Sequence, residues 1–279
     1  MGDWPGPNSG GTYEAIGLAS STTPVDVAAS ATPNTEAASW TEIVSATVEY
    51  CDGFWLSAIG TSATSSISQI ILDIGIGAAS SEIVLVSHLL FDHQNNKPIQ
   101  GFVYIPIPIP GGTRVAARIR CSVASHSIKV GIVLQRQGNT KPSNTCTKCV
   151  TYGDDTSDSG GTSIDPGVTA NTEGAWTQMT SSTTDDTKMV IISLGNQANA
   201  SRNNYYFRLD LGIGGSGSEV AAISNIPFNS GISTDMLTQI WFGPFPVDIP
   251  AGTRIALRLQ CSGAASPARL VDAAIHCFG

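Results

Sequence analysis

The sequence predicts an all-β protein made of two tandem antiparallel β-sandwich domains, jelly-roll-like and related by internal duplication. Three blocks of sequence occur twice, in the same order. Residues 109–122 (IPGGTRVAARIRCS) return as 249–262 (IPAGTRIALRLQCS), 72–77 (LDIGIG) as 209–214 (LDLGIG), and 34–43 (NTEAASWTEI) as 171–179 (NTEGAWTQM). This spacing is longer than the repeat of a solenoid or a propeller, so each copy is expected to be a complete domain.

The pattern along both copies is typical of strands. Short apolar or alternating runs are separated by Gly, Asn, Asp, Pro and Ser, and helical periodicity is nearly absent. In the first copy we predict strands at 42–50, 54–59, 67–76, 82–91, 101–109, 113–121 and 127–135. In the second copy we predict strands at 187–194, 204–213, 219–226, 237–247, 253–261 and 268–276. Short strands with turn residues between them favour a jelly-roll sandwich.

The domain boundaries follow from the breaker-rich segments. Residues 1–12 are expected to form an N-terminal arm, and residues 13–136 the first β-sandwich. Residues 137–165 hold few apolar residues and many turn formers, so we predict a linker there. The second β-sandwich is predicted to span residues 166–279.

Composition excludes several classes of partner. Of the 279 residues only 13% are charged, and the net charge of −8 argues against binding to nucleic-acid phosphates. The N-terminal residues lack the basic and apolar regions of a signal peptide, and no run approaches the length of a membrane span, so no membrane partner is expected. The six cysteines are expected to be mostly reduced.

The repeated strand has an apolar face and an arginine face. Strand alternation places Cys121 and Cys261 on the core rows, as small hydrophobic groups. The opposite rows carry Arg114, Arg118, Arg254 and Arg258. Two interpretations remain open for these arginines: they are solvated or paired with carboxylates across strands, or they face another subunit.

Alternating prolines precede the repeated strand. Pro106, Pro108 and Pro110 remove three N–H donors from the same edge of the backbone, and Pro244, Pro246 and Pro250 repeat the device. Such a segment must be an edge strand or an extended arm, because the proline edge has no donors for a further strand. We predict Arg114, Arg118, Arg254, Arg258, Pro106, Pro108 and Pro246 as interface residues.

Three segments contain candidate catalytic or metal-binding groups. His88, Asp92 and His93 lie close together, but the second copy keeps neither histidine, which favours a solvated loop over a metal or acid-base role. The CTKC segment at 146–149 supplies only half of a zinc site, and GDDTSDSGG at 153–161 departs from a calcium loop. No catalytic residue, cofactor or metal ligand is predicted.

The aromatic residues divide into two groups. Trp40 and Trp176 occupy matching places in the repeat, which favours core roles. Trp55, Tyr205, Tyr206 and Trp241 are either core residues or a platform on which a sugar could stack.

One combination of motifs carries a resemblance. The LDIGIG and LDLGIG blocks are followed by Ser81-Glu82-Ile83 and Ser218-Glu219-Val220, and then by the IPxGTR segments. This order resembles a domain of tailed-bacteriophage virion proteins, and the resemblance covers most of both copies. It implies a virion component with a sandwich fold, and it includes no catalytic motif.

The leading hypothesis is a non-enzymatic capsid decoration or cement protein that stabilises a bacteriophage head. Its expected partners are the major capsid protein or other virion proteins, and further copies of itself, with a trimer favoured. Its expected location is the virion, assembled in the host cytoplasm. Alternatives are a tail, baseplate or receptor-binding protein, a tandem jelly-roll capsid protein, a carbohydrate-binding module and a glycan hydrolase.

Overall fold

The structure is a computed structural model that describes nine ranges of the chain. They are residues 13–18, 23–60, 68–93, 100–136, 146–196, 205–230, 237, 240–263 and 269–279. All regular elements in these ranges are β-strands, so the all-β prediction is confirmed. None of the described segments forms a helix with the length and apolar character of a membrane span. The predicted arm, residues 1–12, lies outside the described residues.

The first domain contains nine strands in two sheets. They are β1 (Tyr13–Ile16), β2 (Val25–Ala28), β3 (Thr41–Val44), β4 (Cys51–Gly60), β5 (Ser68–Ile76), β6 (Ile83–His93), β7 (Gln100–Ile105), β8 (Val115–Cys121) and β9 (Ser127–Arg136). One sheet has the order β1-β9-β4-β7, with β2 also paired to β9, and the other has the order β3-β8-β5-β6.

The pairing is that of a jelly roll. Strands β1, β3, β4 and β5 pair antiparallel with β9, β8, β7 and β6 respectively, as in one long hairpin. Successive pairs alternate between the two sheets, so the hairpin wraps around a core. The predicted jelly-roll sandwich is therefore confirmed in the first domain.

The second domain repeats this arrangement. Its strands are β10 (Cys149–Tyr152), β11 (Asp154–Asp155), β12 (Gly160–Ile164), β13 (Thr177–Thr180), β14 (Thr187–Asn196), β15 (Tyr206–Ile213), β16 (Val220–Asn229), β17 (Trp241–Ile249), β18 (Ile255–Cys261) and β19 (Val271–Phe278). The sheets are β11-β12-β19-β14-β17, with β10 also on β19, and β13-β18-β15-β16. Strands β10 and β12 correspond to β1 and β2.

Part of the predicted linker belongs to the second domain. Residues 137–165 were expected to connect the two sandwiches, but β10, β11 and β12 lie within this range and pair into the sheet of β19. These strands are short and rich in Gly, Ser and Asp, so their composition resembles a loop. Their position comes from pairing with β19, which the local sequence does not reveal.

The core follows the alternation of the repeated strand. Val115, Ile119 and Cys121 of β8 are buried, and so are Leu259 and Cys261 of β18. The apolar rows of both sheets in each domain face each other and exclude water, which is the main source of stability in a sandwich. The core positions predicted for Cys121 and Cys261 are confirmed.

The proline segments lie at sheet edges, as predicted. Strand β7 is the last strand of its sheet, and Pro106, Pro108 and Pro110 follow it directly. Ile109 exchanges both backbone hydrogen bonds with Cys51, each at 2.9 Å. Because successive residues of an extended segment face opposite edges, Pro108 and Pro110 on either side of Ile109 turn their donor-free edge away from Cys51. Strand β17, which contains Pro244 and Pro246, is likewise the last strand of its sheet.

Candidate functional site

An arginine stacked on a tryptophan forms a polar cluster on the first domain. The guanidinium of Arg118 lies 4.3 Å from the ring centre of Trp40. Its Nε donates to Asp73 Oδ2 at 3.0 Å, and its Nη2 lies 2.8 Å from Glu36 Oε1. Gly75 leaves room for the ring, because a Cβ at this position would lie 2.8 Å from Trp40. The cluster therefore combines residues from all three repeated blocks, namely 34–43, 72–77 and 109–122.

The second domain contains the same cluster. The guanidinium of Arg258 lies 4.3 Å from the ring centre of Trp176, and its Nε donates to Asp210 Oδ2 at 2.8 Å. Its Nη1 lies 2.6 Å from Glu173 Oε2. A Cβ at Gly212 would lie 2.7 Å from the Trp176 ring. The repeated residues thus perform the same structural task in both copies.

A second arginine in each domain fixes the start of the repeated strand. Arg114 donates to Glu82 at 2.7 Å through Nη1 and to Glu42 at 2.9 Å through Nε. In the second domain Arg254 Nη1 donates to Glu219, also at 2.7 Å. Glu82 and Glu219 are the glutamates of the repeated Ser-Glu motifs, so these motifs supply the partners of the GTR arginines.

The arginines fit the first of the two interpretations given above, that of pairing across strands. Arg114, Arg118, Arg254 and Arg258 all bind carboxylates of their own domain. Their further role at a subunit interface, and that of Pro106, Pro108 and Pro246, stays a prediction.

The expected core role of Trp40 and Trp176 is wrong in one respect. Both rings are half-buried under an arginine, because each packs over a glycine on the outer side of its sheet.

Between the two domains lies a buried seam, formed where β6 packs on the sheet of β10, β14 and β19. Ile71 and Leu90 of the first domain pack on Ala274 of the second in a small apolar cluster. The Nε1 of Trp241 donates to the carbonyl of Leu90 at 2.6 Å, and a Cβ at Gly101 would lie 2.6 Å from the same ring. Trp241 is therefore a residue of the seam and not a sugar platform.

Polar contacts extend the seam on both sides of the apolar cluster. Gln69 Nε2 donates to Asp272 Oδ2 at 3.1 Å, and Arg120 Nη1 donates to the carbonyl of Thr156 at 3.0 Å. Ser159 Oγ donates to Asn34 Oδ1 at 2.9 Å. We name the first-domain side of this seam the domain-1 cleft, defined by Asn34, Gln69, Ile71, Leu90 and Arg120.

The solvated loop expected at His88 and Asp92 is not found, because both residues lie in β6 and Asp92 is buried. His88 links the seam to the Arg118 cluster. It has a left-handed backbone (φ 59°) and its N–H donates to Asp73 Oδ1 at 2.8 Å. Its Nδ1 lies 2.7 Å from Asp154 Oδ2 of the second domain. The hydrogen bond to Asp154 raises the pKa of His88, and burial opposes this effect. Burial favours a higher pKa for Asp154, but the hydrogen bond and charge of His88 hold it below its usual value.

Three groups at this place have the composition of a metal site. One ligand atom from each of Glu36, Asp73 and His88 lies within 4.8 Å of the others. Arg118 already binds both carboxylates, and His88 binds Asp154. A cation here would face a guanidinium, which opposes its binding. The arrangement is therefore an ion-pair network that joins the two domains.

His276 is surrounded by hydroxyl groups in the seam. Ser193 Oγ lies 2.8 Å from its Nε2, and Thr151 Oγ1 lies 3.0 Å from its Nδ1. Burial lowers the pKa of His276 to about 3, so the ring is neutral near pH 7. The ring is fully buried and no substrate reaches the Ser193 hydroxyl, so this contact is structural despite its resemblance to a nucleophile and base.

The CTKC cysteines have the properties of packing residues. Cys146 is buried and Cys149 is half-buried, and both thiols are free. Burial raises the pKa of both thiols, which disfavours the thiolate that redox chemistry and metal binding require. The neighbouring segment 153–161, which departs from a calcium loop in sequence, contains the hairpin of β11 and β12, and this hairpin supplies Asp154 to the seam.

An exposed apolar surface lies on the first domain. Trp55 and Phe102 stack with ring centres 5.1 Å apart, and Tyr104 lies beside Trp55 at 5.2 Å. Phe102 is 54% exposed and Leu18 is 51% exposed. We name this surface the domain-1 outer face, defined by Leu18, Trp55, Phe102, Gly131 and Val133.

An open cleft lies on the second domain. It has a volume of about 500 Å³, and Tyr206, at its edge, is 66% exposed. Tyr205, the other candidate for a sugar platform, is covered by Arg269 at 3.9 Å. We name this surface the domain-2 cleft, defined by Asn171, Tyr206, Arg208, Pro227 and Gln260.

Sequence reasoning missed the seam, although the repeat contains a signal for it. Gln69 and Leu90 lie in the seam, whereas Tyr206 and Pro227, at the corresponding positions of the second copy, line the open cleft. The two copies therefore differ at positions that are covered in the first domain and open in the second. The structural residues next to these positions are identical in both copies.

No protein-family model matches the chain, and no curated protein matches it. Among solved structures, PNGF-II is similar at a TM-score of 0.43 and 8% identity, over 96% of this chain and 65% of that one. The chain thus spans less than two thirds of PNGF-II. The tandem CBM22-1-CBM22-2 domain of Paenibacillus barcinonensis Xyn10C has a TM-score of 0.27 and 9% identity, over 96% and 91% of the two chains. Infectious bursal disease virus (Gx strain) has a TM-score of 0.24 and 12% identity, over 96% and 71%. Similarity at this level transfers no function to this chain.

Replacing Arg118 by methionine is expected to destabilise the first domain by about 2 to 4 kcal/mol, because it leaves a buried carboxylate without its cation. Asp73 is only 4% exposed. The matched control is Lys129→Met, which breaks an ion pair whose aspartate is 61% exposed, with an expected loss below about 1 kcal/mol. Urea unfolding midpoints measure both losses. Equal losses in the two variants would contradict a structural role for the Arg118 cluster.

Replacing His88 by asparagine, the residue found at position 225, is expected to weaken the seam in a pH-dependent way. Both residues have φ 59° and donate a backbone N–H to an aspartate, so the local backbone is preserved. Because the pKa of His88 is raised and that of Asp154 is lowered, their pair stabilises from about pH 4 upward and this stabilisation is lost as pH rises through the raised pKa. The decrease in melting temperature should correspond to a loss of on the order of 1 kcal/mol in the free energy of unfolding at pH 6, and to a smaller loss at pH 9. A loss that is the same at both pH values would show that the ion pair contributes nothing.

Proposed function

We propose that this chain is a non-enzymatic virion protein that decorates and stabilises the head of a tailed bacteriophage. The observation that supports this function is how the repeated polar residues are used. Arg114, Arg118 and their counterparts Arg254 and Arg258, together with their carboxylate partners, hold the strands of one sheet together in each domain. The motifs behind the resemblance to virion proteins are thus structural motifs.

The described surface suits binding to other proteins over a wide area. In each domain one sheet ends in an edge strand with prolines, which follow β7 in the first domain and lie within β17 in the second. Such prolines discourage uncontrolled strand pairing between crowded subunits. An apolar outer face and an open cleft remain on opposite domains. The partners in this proposal are the major capsid protein and further copies of the chain, with a trimer favoured, and the location is the virion.

A carbohydrate-binding role is the second candidate, because the domain-1 outer face carries a stacked pair of aromatic rings, of which Phe102 is 54% exposed. Trp55 and Phe102 are stacked nearly parallel, with ring centres 5.1 Å apart and an angle of 9° between the ring planes. Flat aromatic surfaces bind the apolar faces of sugar rings. In a phage particle such a site would belong to a receptor-binding or tail protein.

Mass spectrometry of purified particles tests the decoration role. We expect a copy number comparable to that of the major capsid protein, whereas a tail or baseplate protein would be present in only a few copies. Particles made without this chain should lose contents at a lower temperature or chaotrope concentration than complete particles. Particles that lack the chain but keep the same resistance would end the proposal of a stabilising role.

Glycan-array binding tests the second candidate. If the site binds sugar, the intact chain should retain specific glycans, and Trp55→Ala should reduce that binding at least about tenfold, the equivalent of 1.4 kcal/mol. Tyr50→Ala is the matched control, since Tyr50 is 42% exposed and lies outside the outer face defined above. Absence of binding by the intact chain, or equal loss in both variants, removes this candidate.

A further inference from the structure

The two domains use equivalent surfaces differently. The repeat aligns the domain-1 cleft with the domain-2 cleft, so that Asn34, Gln69, Ile71, Leu90 and Arg120 correspond to Asn171, Tyr206, Arg208, Pro227 and Gln260. The second domain of the same chain fills the domain-1 cleft. Among the described residues, nothing fills the domain-2 cleft in the same way, and Tyr206 stays 66% exposed.

The surface that fills the domain-1 cleft also has a counterpart. It is the outer face of the sheet containing β14 and β19, and its residues include Asp154, Ile191, Trp241, Ala274 and His276. Strand registers place Leu18, Trp55, Phe102, Gly131 and Val133 at the corresponding positions of the first domain. This set is the domain-1 outer face, which is exposed at Leu18 and Phe102.

We propose that the domain-1 outer face of one copy docks into the domain-2 cleft of another copy and repeats the seam that joins the domains within a chain. The same backbone arrangement is available on both sides, since the domains share strand order and pairing. Phe102 and Tyr206 are both exposed, so the two surfaces do not meet within one chain. A second copy of the chain is therefore the partner that offers the matching shape.

The side chains at the centre of this contact compensate in size. Within the chain, Ile71 packs on Ala274. Between chains, the larger Arg208 would face Gly131, which is smaller than alanine. A Cβ at Gly131 would lie in ordinary contact with Pro24, at 3.7 Å, so the absence of a Cβ leaves room for a larger partner residue. The exchange of a larger residue for a smaller one on opposite sides preserves the packed volume.

The chemistry of both surfaces suits a protein interface. The outer face replaces the polar Asp154 and His276 by Leu18 and Val133, and carries the stacked Trp55 and Phe102. The cleft offers Tyr206 and Arg208, and aromatic residues and arginine are the types enriched at interfaces. A guanidinium near exposed aromatic rings also gains from cation–π attraction.

Such a contact joins two different surfaces, so it is heterologous and propagates head to tail. It closes into a ring if the rotation between successive domains divides a full turn, and it otherwise forms a filament. In a closed trimer, domains of the two types would alternate around the ring. The proposal does not rest on the role in a virion, because it uses only the internal repeat and the exposed surfaces.

The first experiment measures the mass of the intact chain in solution by light scattering at concentrations up to about 100 µM. The expected result is a concentration-dependent assembly. Gly131→Arg, which fills the outer face and places a second cation against Arg208, should leave the chain monomeric. Pro227→Asp, which places a charge in the cleft, should do the same.

Mixing the two variants tests the head-to-tail arrangement. Gly131→Arg retains an intact cleft and Pro227→Asp retains an intact outer face, so an equal mixture should form a one-to-one dimer and nothing larger. Val168→Asp is the control, because Val168 is 71% exposed and lies outside both surfaces, and it should assemble as the unmodified chain does. Melting curves establish that each variant is folded.

Several outcomes would overturn the proposal. One is an unmodified chain that stays monomeric over the whole concentration range. Another is assembly that persists in both surface variants, and a third is a mixture of variants that yields no dimer. A monomer that binds glycans through Trp55 would instead assign the outer face to carbohydrate. Because the virion tests use particles and these tests use the isolated chain, either proposal can fail without the other.

Discussion

Each domain depends on one arginine held between a tryptophan ring and a buried carboxylate. Arg118 lies on β8, Asp73 lies on β5, and Trp40 precedes β3, so their contact joins three strands of one sheet. Asp73 also accepts a hydrogen bond from the N–H of His88 in β6, so the fourth strand of the sheet is joined to the same carboxylate. The carboxylate is desolvated, and this is tolerable only because a cation and an N–H donor face it. The second domain solves the same problem with Arg258, Asp210 and Asn225.

The sequence predicted much of the fold because alternation and proline chemistry are local signals. The buried row of Val115 and Cys121 follows from a period of two, and the outward edge of Pro106 and Pro108 follows from the missing donors. The short strands β10 and β12 escaped prediction because they form by pairing with β19, more than a hundred positions away, and β11 in turn pairs with β12.

The arginine clusters were only partly predictable. The four arginines and their face were evident, but the contact between Arg118 and Glu36 joins positions 82 residues apart. No local pattern indicates such a partner. The repeat did contain the information, because each duplicated block supplies a member of the cluster: Glu36 and Trp40 from one, Asp73 from another, and Arg118 from the third.

The residues that the two copies share and the residues in which they differ have different roles. The shared residues bind each other within a domain, so their identity is explained by stability. The residues that differ, such as Leu90 and Pro227, lie at the seam in one copy and at the surface in the other. In this duplicated fold, one cleft is filled within the chain and the equivalent cleft of the second domain is open. The open cleft is therefore available to a second molecule.

The short connection between the domains also controls which partner reaches the domain-1 cleft. Only residues 137–145 separate the end of β9 from Cys146, whose N–H binds the carbonyl of Pro106 at 3.2 Å. Such a tether holds the second domain at an effective concentration on the order of millimolar beside its own cleft. During synthesis, therefore, a nascent chain is expected to complete its internal seam before a neighbouring molecule can compete, which protects it from domain swapping.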